Sequence, residues 1–321
     1  MFSLNPDAQS MMHWFGVLVV ALPTNIPMPE TKRKQKPEVS IIGAGRLGTT
    51  LAVALARRGY SIRSVVSRLA QNARKAAKLL DDNPRALAAN RMRDLQPTGV
   101  FLITTPDDQI ASVAAELSGL ESKANRKLTA LHTSGALSAE VLAVLRQKGW
   151  NTGSIHPLIS VTDSRDGTTP LRGAFWSVEG DKGALRVGRA IVRDLEGRSF
   201  SIRSEDKPLY HAAAVMAAGN VVALFDVALE MLGQCGLSRK TARSILLPLI
   251  ASTVHNLENM DPADALTGSF SRGDVETVKR HLAALKSKKL SDALDLYRLL
   301  GKRSLRLSKK HPQIEQVLKS V

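Results

Sequence analysis

Three glycines with a fixed spacing, Gly43, Gly45 and Gly48, separate two apolar segments of different period. Residues 39–42 are typical of a buried strand, and apolar residues from Leu47 onward recur with a helical period. In such a unit the first glycine allows the bend, the second lets a pyrophosphate approach the backbone, and the third allows close helix packing. The N–H groups of the first helical turn would face the phosphates. This context favours a dinucleotide site over a tight turn without a ligand, with contacts from Gly43, Ala44, Gly45, Arg46, Leu47 and Gly48.

The end of the second predicted strand, residues 61–67, indicates which dinucleotide fits. An NAD site usually has an acidic residue here to hold the ribose 2′-hydroxyl, whereas this chain has Ser67 and Arg68. A guanidinium binds a phosphate with paired hydrogen bonds, and a serine hydroxyl can add another. These residues favour NADP as the cofactor over NAD. The alternative is that Arg68 ends the strand and points to water.

A third predicted strand, residues 99–104, ends in Thr104, Thr105 and Pro106. Ligands of open α/β sheets bind at the carboxyl ends of the strands, so we expect these three residues to contact the cofactor as well. Proline followed by acidic residues is a helix-start signal. We therefore interpret Asp107 and Asp108 as the first turn of a helix over about 107–117 rather than as catalytic acids.

Two histidines stand where further strands are predicted to end, His132 as the last residue of 128–132 and His156 within residues 154–158. Histidine is the natural acid or base at neutral pH, and Ser134 adds a hydroxyl to the same loop as His132. We predict that His132, Ser134 and His156 are catalytic. The competing interpretation is that each imidazole only holds its loop by hydrogen bonds.

The stretch Leu209–Leu232 is predicted to form one long, alanine-rich helix. In a straight helix, His211 and Asn220 lie about 180° apart, whereas Tyr210 and Asn220 lie about 80° apart. A buried amide needs hydrogen-bond partners, and small and apolar residues flank Asn220. We therefore place Asn220 in the catalytic site ahead of His211. The alternative is that this helix forms a domain or dimer core.

Strands and helices alternate from about residue 38 to residue 203, and the strand pattern stops beyond residue 204. This predicts an α/β fold with a Rossmann-type, mainly parallel sheet and helices on both faces, followed by an all-helical C-terminal domain. The alanine-rich region 69–94 is expected to be helical, with a break at 81–84. We predict three parts: an extension at 1–37, disordered or preceding a true start at Met28; a dinucleotide-binding domain at 38–203; and a helical substrate or dimerisation domain at 204–321.

The formal net charge is +16, the chain has one cysteine, and aromatic residues make up 4%. One cysteine excludes an internal disulfide framework and a cysteine-rich metal site, which fits a cytoplasmic protein without a metal. The charge favours anionic partners, but no nucleic-acid motif accompanies it and stacking residues are few. The apolar run at 14–22 is about half the length of a membrane span. We expect a small-molecule substrate, no nucleic acid and no membrane.

Seven short motifs occur in one order along the chain, at residues 43–48, 67–68, 105–108, 132–137, 156–158, 210–214 and 265–274. Together they resemble the Rossmann-like family with a C-terminal helical domain of unknown function, whose members are predicted NADP- or deazaflavin-dependent oxidoreductases. More distantly, the chain resembles pyrroline-5-carboxylate reductases and the 6-phosphogluconate and β-hydroxyacid dehydrogenases. The resemblance covers about residues 38–310. It implies an active site completed by the helical domain, commonly in a homodimer.

Two departures from these relatives concern the chemistry. The β-hydroxyacid dehydrogenases carry a catalytic lysine four residues before an asparagine, and here Met216 has that spacing from Asn220. The family loop usually has proline where Ser269 follows Gly268. The preferred hypothesis is an NADP-dependent oxidoreductase that moves a hydride to or from a small carbonyl, imine or hydroxy compound. The alternative is a non-catalytic dinucleotide-binding sensor or partner-binding module, because fold does not establish chemistry.

Overall fold

The computed structural model describes residues 36–120, 127–161, 171–308 and 311–319, so the predicted extension at 1–37 lies almost wholly outside the described residues. The strands are β1 Val39–Ile42, β2 Ile62–Ser67, β3 Arg85–Ala88, β4 Val100–Ile103, β5 Thr129–His132, β6 Asn151–Pro157, β7 Phe175–Gly180 and β8 Arg198–Phe200. The α-helices are α1 Arg46–Arg57, α2 Ala70–Ala77, α3 Asp107–Leu117, α4 Ala143–Gln147, α5 Lys182–Asp194, α6 Lys207–Ala217, α7 Gly219–Gly233, α8 Arg239–Asn259, α9 Pro262–Ala265, α10 Ser269–Arg272, α11 Val275–Ser287, α12 Ser291–Ser308 and α13 Pro312–Lys319.

The strands form an eight-stranded sheet in the order β3-β2-β1-β4-β5-β6-β7-β8. Neighbouring strands are parallel except β6 and β7, which are antiparallel. From β1 the chain winds outward to β3 and then returns to place β4 on the other side of β1. Such a reversal of strand order opens a crevice at the carboxyl ends of the two central strands. The predicted Rossmann-type, mainly parallel sheet is confirmed.

Helices cover both faces of the sheet, as predicted. Successive residues of a strand point to opposite faces, and in β1 Ile41 and Ile42 belong to different cores. Ile41 packs in a cluster with Leu51 of α1 and Ile191 of α5. Ile42 lies in a second cluster with Ile110 of α3. Because both faces are buried, the central strands read as continuous apolar runs.

One strand was not predicted. The region 69–94 was expected to be helical, but α2 ends at Ala77 and the edge strand β3 follows. Asn83 has a positive φ of 45°, and Pro84 removes a backbone donor, so the chain leaves the helix here. Leu87 then packs in the core beside β2. The tertiary contact therefore outweighs the local helix preference of the alanines.

The predicted long helix is two helices. At Ala218 the backbone has φ −122° and ψ −75°, which breaks the hydrogen-bonded ladder between α6 and α7. Gly219 begins α7. The prediction of one straight helix over Leu209–Leu232 was wrong, and so was the angular argument that depended on it. A glycine after an alanine run gives little warning of a break, because glycine costs only about 1 kcal/mol inside a helix.

From residue 204 onward the described chain is helical, which confirms the predicted order of an α/β sheet and then helices. The last helices, α11 to α13, surround a small core that contains Val278, Leu282, Ile314 and Leu318. The segment 204–233 is different. It is long and apolar enough to cross a membrane by length and composition, and only 6% of its most apolar window is buried.

Candidate active site

The glycine loop between β1 and α1 is locked to the end of β4. Gly43 has a φ of 117°, which favours glycine, and a Cβ there would lie 2.7 Å from the carbonyl carbon of Thr104. A Cβ on Gly48 would clash with the carbonyl oxygen of Gly43. The Thr104 hydroxyl donates to that same oxygen at 2.6 Å. These contacts place Thr104 at the sheet edge where it was predicted, and they fix the shape of the loop.

Gly45 faces open space, unlike its two neighbours in the motif. A Cβ at this position would meet nothing within 4 Å, so an outside group has room to approach the backbone. The first hydrogen bond of α1 runs from the Thr49 N–H to the Gly45 carbonyl. The N–H groups of the three residues between them therefore have no acceptor inside the helix. An open glycine beside free helical N–H groups fits a diphosphate.

The other predicted cofactor residues lie at the same edge of the sheet. Ser67 ends β2, and Arg68 follows it as an exposed side chain. Thr105 is only partly exposed, yet its hydroxyl oxygen is buried and has no hydrogen-bond partner among the described residues. A buried hydroxyl without a partner is rare unless a ligand or water completes it. Pro106 stands just before α3, which begins at Asp107 as predicted.

His132 is fully buried at the end of β5, and both of its ring nitrogens are used by the following loop. Nδ1 accepts from the Ser134 N–H at 3.2 Å, and Nε2 lies 3.1 Å from the Ser138 carbonyl oxygen. Nε2 must therefore carry the proton. Burial lowers the pKa of His132 to about 3, and the nearby charge of Lys207 acts in the same direction. This geometry matches the competing interpretation, in which the imidazole holds the loop.

The Ser134 side chain is similarly occupied. Its hydroxyl donates to the Asp107 carboxylate at 2.8 Å and accepts from the N–H groups of Ala136 and Leu137 at 3.2 and 2.9 Å. The loop after β5 is thus tied to the first turn of α3. The one proton of the Ser134 hydroxyl therefore already has an acceptor, and its predicted catalytic role stays a prediction.

His156, near the end of β6, meets two residues of α6. Its Nδ1 lies 2.7 Å from the Tyr210 hydroxyl oxygen. Its ring stands edge-on to those of Tyr210 and His211, with centroid distances of 5.5 and 5.4 Å. The loop residue Gly135 closes the group: a Cβ there would clash with His211 Nδ1 and lie 2.8 Å from His156 Nε2. These four residues are called the His156 cluster.

Protonation in the His156 cluster is set mainly by burial. Desolvation, together with the neighbouring His211 and Lys207, lowers the pKa of His156 to about 4. Burial raises the pKa of Tyr210. At neutral pH, His156 is therefore neutral and Tyr210 keeps its proton. His211 Nδ1 is buried and has no hydrogen-bond partner among the described residues, so the cluster contains an unused ring nitrogen.

Two adjoining cavities meet at the His156 cluster. The smaller, of about 310 Å³, is lined by Arg46 and Leu47 of the glycine loop and by Asp107, and it reaches Gly135. The larger, of about 620 Å³, is lined largely by apolar residues of α6 and of the segment after β6. Both cavities are lined by His156, Pro157, Ile159 and His211. One cavity thus extends to the glycine loop and the other to the helical region.

Asn220 lies apart from this arrangement. It is exposed near the start of α7, where its amide donates to Met216 Sδ at 2.9 Å, and it lines neither cavity. Because α6 ends before Ala218 and α7 begins at Gly219, the angular positions calculated for one straight helix do not apply to Asn220. Tyr210 and His211 do line the larger cavity, and the catalytic role of Asn220 stays a prediction.

Lys207 was missed by the sequence analysis. It is 1% exposed at the first turn of α6, and its Nζ donates to the Ser134 carbonyl at 3.2 Å and the Ser154 hydroxyl at 2.8 Å. In the sequence it follows Glu205 and Asp206, a pattern typical of a solvated helix start. No local signal distinguishes it from a surface lysine.

Family models match the two halves of the chain. A Rossmann-like domain matches residues 24–157, and DUF2520, a domain of unknown function, matches residues 174–304. The chain joins a Rossmann-like domain to a DUF2520 domain. The resemblance inferred from the seven motifs is therefore confirmed. No curated protein matches this chain by sequence.

Solved structures share the fold over nearly their whole length. A proposed NADP oxidoreductase from Bacteroides fragilis is 22% identical, with a TM-score of 0.68 over 85% of this chain and 99% of that one. A reductive aminase from Aspergillus terreus, solved with NADPH and ethyl levulinate, is 15% identical, with a TM-score of 0.62 over 88% and 99%. A pyrroline-5-carboxylate reductase from Coxiella burnetii is 17% identical, with a TM-score of 0.51 over 86% and 100%. At these identities the likeness establishes the fold.

Proposed function

We propose that this DUF2520 protein is an NADP-dependent oxidoreductase that transfers a hydride between the nicotinamide and a small carbonyl, imine or hydroxy compound. The observation that carries the proposal is the pair of cavities joined at the His156 cluster. A dinucleotide held at the glycine loop would extend into the smaller cavity, which Arg46 and Leu47 line. The larger, mainly apolar cavity would take the substrate.

NADP is the proposed cofactor because of both the loop and the relatives. The open backbone at Gly45 and the free N–H groups of α1 would hold the diphosphate. Ser67 and exposed Arg68 would hold the 2′-phosphate, and Thr105, just after the end of β4, has a buried hydroxyl that still lacks a hydrogen-bond partner among the described residues. The Aspergillus terreus structure contains NADPH. When bound, NADPH supplies the hydride, and the protein supplies position and proton chemistry.

In the reductive direction, Tyr210 is the proposed proton donor. Its raised pKa keeps the phenol protonated, and Tyr210 lines the larger cavity. With the proton of His156 on Nδ1, that N–H donates to the phenolic oxygen at 2.7 Å. The Tyr210 proton is then free to pass to the substrate oxygen or nitrogen, and the His156 N–H stabilises the phenolate that remains. His132 and Ser134 shape the adjoining wall.

The helical region is proposed to form a homodimer in the cytoplasm. Large apolar side chains of α6 to α8 are exposed, including Leu209 at 75% and Val222 at 70%. Contiguous apolar surface of this kind marks an interaction site. A second copy placed on it would cover the larger cavity and, we propose, bring Asn220 toward it. The proposal includes a boundary at residue 203 between a dinucleotide-binding domain and a substrate or dimerisation domain. It includes no nucleic-acid partner and no membrane partner.

NADPH oxidation over a panel of small ketones, aldehydes and cyclic imines tests the proposal. Once a substrate is found, Tyr210→Phe and His156→Asn should lower kcat by about 10²-fold or more, with little change in NADPH affinity. Asn220→Ala is the matched comparison: a loss of turnover without a loss of NADPH binding would return it to the site. NADPH binding without turnover on any substrate would instead favour the sensor or partner-binding alternative.

The pH profile gives a second check. The pKa of His156 in the folded chain is about 4, below its ordinary value near 6.5, so the neutral form should persist and activity should stay level from about pH 8 down to pH 5. Stability behaves differently. The unfolded chain gains protons on His132 and His156 below about pH 6.5, so their contribution is full above that pH and is lost as pH falls toward 4 and 3. Melting temperatures at each pH separate the two effects.

A further inference from the structure

Lys207 is a buried lysine bonded to uncharged groups. Lysine is almost never fully buried unless it is paired, yet its Nζ donates to a carbonyl oxygen of Ser134 and a hydroxyl of Ser154. Among the described residues it forms no ion pair within 4.0 Å. The carboxylates of Glu179 and Asp107 favour its charge from further away, and burial lowers its pKa. Burying an ammonium group without a carboxylate partner is energetically unfavourable, which suggests that Lys207 has a specific role.

The contacts of Lys207 join three elements. Lys207 begins α6, Ser134 lies in the loop after β5, and Ser154 is in the middle of β6. The Ser154 hydroxyl also donates to the Ser134 carbonyl at 3.2 Å, so the three polar groups form a closed triangle. The lysine is therefore a direct polar link between the helix that carries Tyr210 and His211 and the loop that faces them.

The residue after Ser134 leaves little tolerance for movement. Gly135 packs so closely on the His156 cluster that a Cβ would clash with the His211 ring. Because the fit is this close, a small shift of the loop would either bring it into collision with the two imidazoles or leave a gap beside them. The Lys207 link acts one peptide away from this contact.

We propose that Lys207 is a positioning residue, which holds the loop 133–137 against α6 and so sets the spacing of Gly135, His156 and His211. Its kinetic consequence rests on the proposed function, whereas its effect on the loop and on His156 does not. The charge of Lys207 also reaches the cluster. It is one of the groups that lower the pKa of His156, together with His211, and Tyr210 contacts the same ring.

Two substitutions separate the link from the charge. Lys207→Met keeps an unbranched chain but removes both the donor and the charge, and Lys207→Gln keeps a donor without the charge. Lys182→Met is the control, since Lys182 is an exposed lysine at the first turn of α5. The readouts are amide hydrogen exchange in residues 134–137, the NMR titration of the His156 imidazole in the protein without cofactor, NADPH affinity, and turnover.

We expect Lys207→Met to speed exchange of the Ala136 and Leu137 amides by at least about tenfold, with β1 and β4 unaffected, because only the loop is released. The pKa of His156 should rise in both variants, and Lys207→Gln should keep more of the loop protection. NADPH affinity should stay within about twofold and kcat should fall by more than about tenfold, because loop spacing controls reaction geometry but not diphosphate binding.

The proposal is overturned if Lys207→Met only lowers the melting temperature and leaves loop exchange and the His156 titration as in the wild type. If that variant does not fold, Lys207→Gln and Ser154→Ala provide the same readouts. Ser154→Ala removes one of the two acceptors and should give a smaller effect on exchange in the same direction. A wild-type protein that turns over no substrate would contradict the oxidoreductase proposal, while exchange and titration would still decide the role of Lys207.

Discussion

Most apolar residues of the sheet are buried, whereas most of those in helices α6 to α8 are exposed. In the sheet, β1, β4 and β5 are buried at every position. In α7 and α8 together, only Leu229 and Ala242 are buried, although both helices carry many large apolar side chains. Val222 of α7 and Leu249 of α8, for example, are 70% and 61% exposed. The core of the sheet is completed by its own chain, whereas the apolar side chains of these helices stay exposed, which is typical of an interaction surface.

The largest expected effect is on stability and concerns the buried packing beside the sheet. A Cβ on Gly48 would clash with the Gly43 carbonyl, and the Thr104 hydroxyl bonded to that oxygen leaves it no space to move. Gly48→Ala should therefore lower the free energy of unfolding by about 3 kcal/mol, measured by urea denaturation. Gly45→Ala is the matched control, because its Cβ enters open space. Equal stability of the two variants would contradict the packing account.

The next largest effect is on the oligomeric state and concerns the exposed apolar side chains of α6 to α8. Val222 is 70% exposed on α7, so Val222→Asp should leave the single chain's stability within about 0.5 kcal/mol. It should nevertheless shift a dimer toward monomer at micromolar concentration, because a carboxylate would be buried without a partner. Sedimentation equilibrium measures this, with the exposed Lys302→Asp in α12 as control. A wild-type protein that is monomeric, or that floats with lipid vesicles, would show that another surface covers these helices.

The smallest expected effect on stability is at Arg68, just after the end of β2. Arg68 is exposed after β2, so Arg68→Asp should not change stability measurably. It should shift the ratio of NADPH to NADH dissociation constants toward NADH by at least about tenfold, since aspartate repels a 2′-phosphate and accepts from a 2′-hydroxyl. Arg74→Asp, at an exposed position of α2, makes the same charge change as a control. If both variants keep the wild-type ratio, Arg68 does not contact the cofactor.

The sequence predicted the sheet side well because its signals are local. The apolar run before Gly43 and the helix after it are periodic patterns over a dozen residues, and the predicted start of α3 at Asp107 was confirmed. Strand β3 was missed because its stability comes from Leu87 packing beside β2, a contact that alanine-rich neighbours do not reveal.

The site was less predictable because it depends on long-range contacts. The contact between His156 and α6 depends on how β6 pairs with its neighbours and on where α6 packs. The two contacting residues, His156 and Tyr210, are 54 positions apart in the sequence. Asn220, beyond the break at Ala218, is exposed and lines neither cavity. Lys207 is buried because α6, β6 and the loop after β5 meet around it. These three segments are too far apart in the sequence for a local pattern to show their contact.

The close packing of Gly135 has an evolutionary consequence. A side chain at this position would collide with His211, so the two positions cannot vary independently. Among related chains we expect any residue larger than glycine at the position of Gly135 to occur together with a smaller residue at the position of His211. Positions 135, 156 and 211 should therefore change as a set in an alignment, and chains in which the set has changed should be the ones whose substrate preference has diverged.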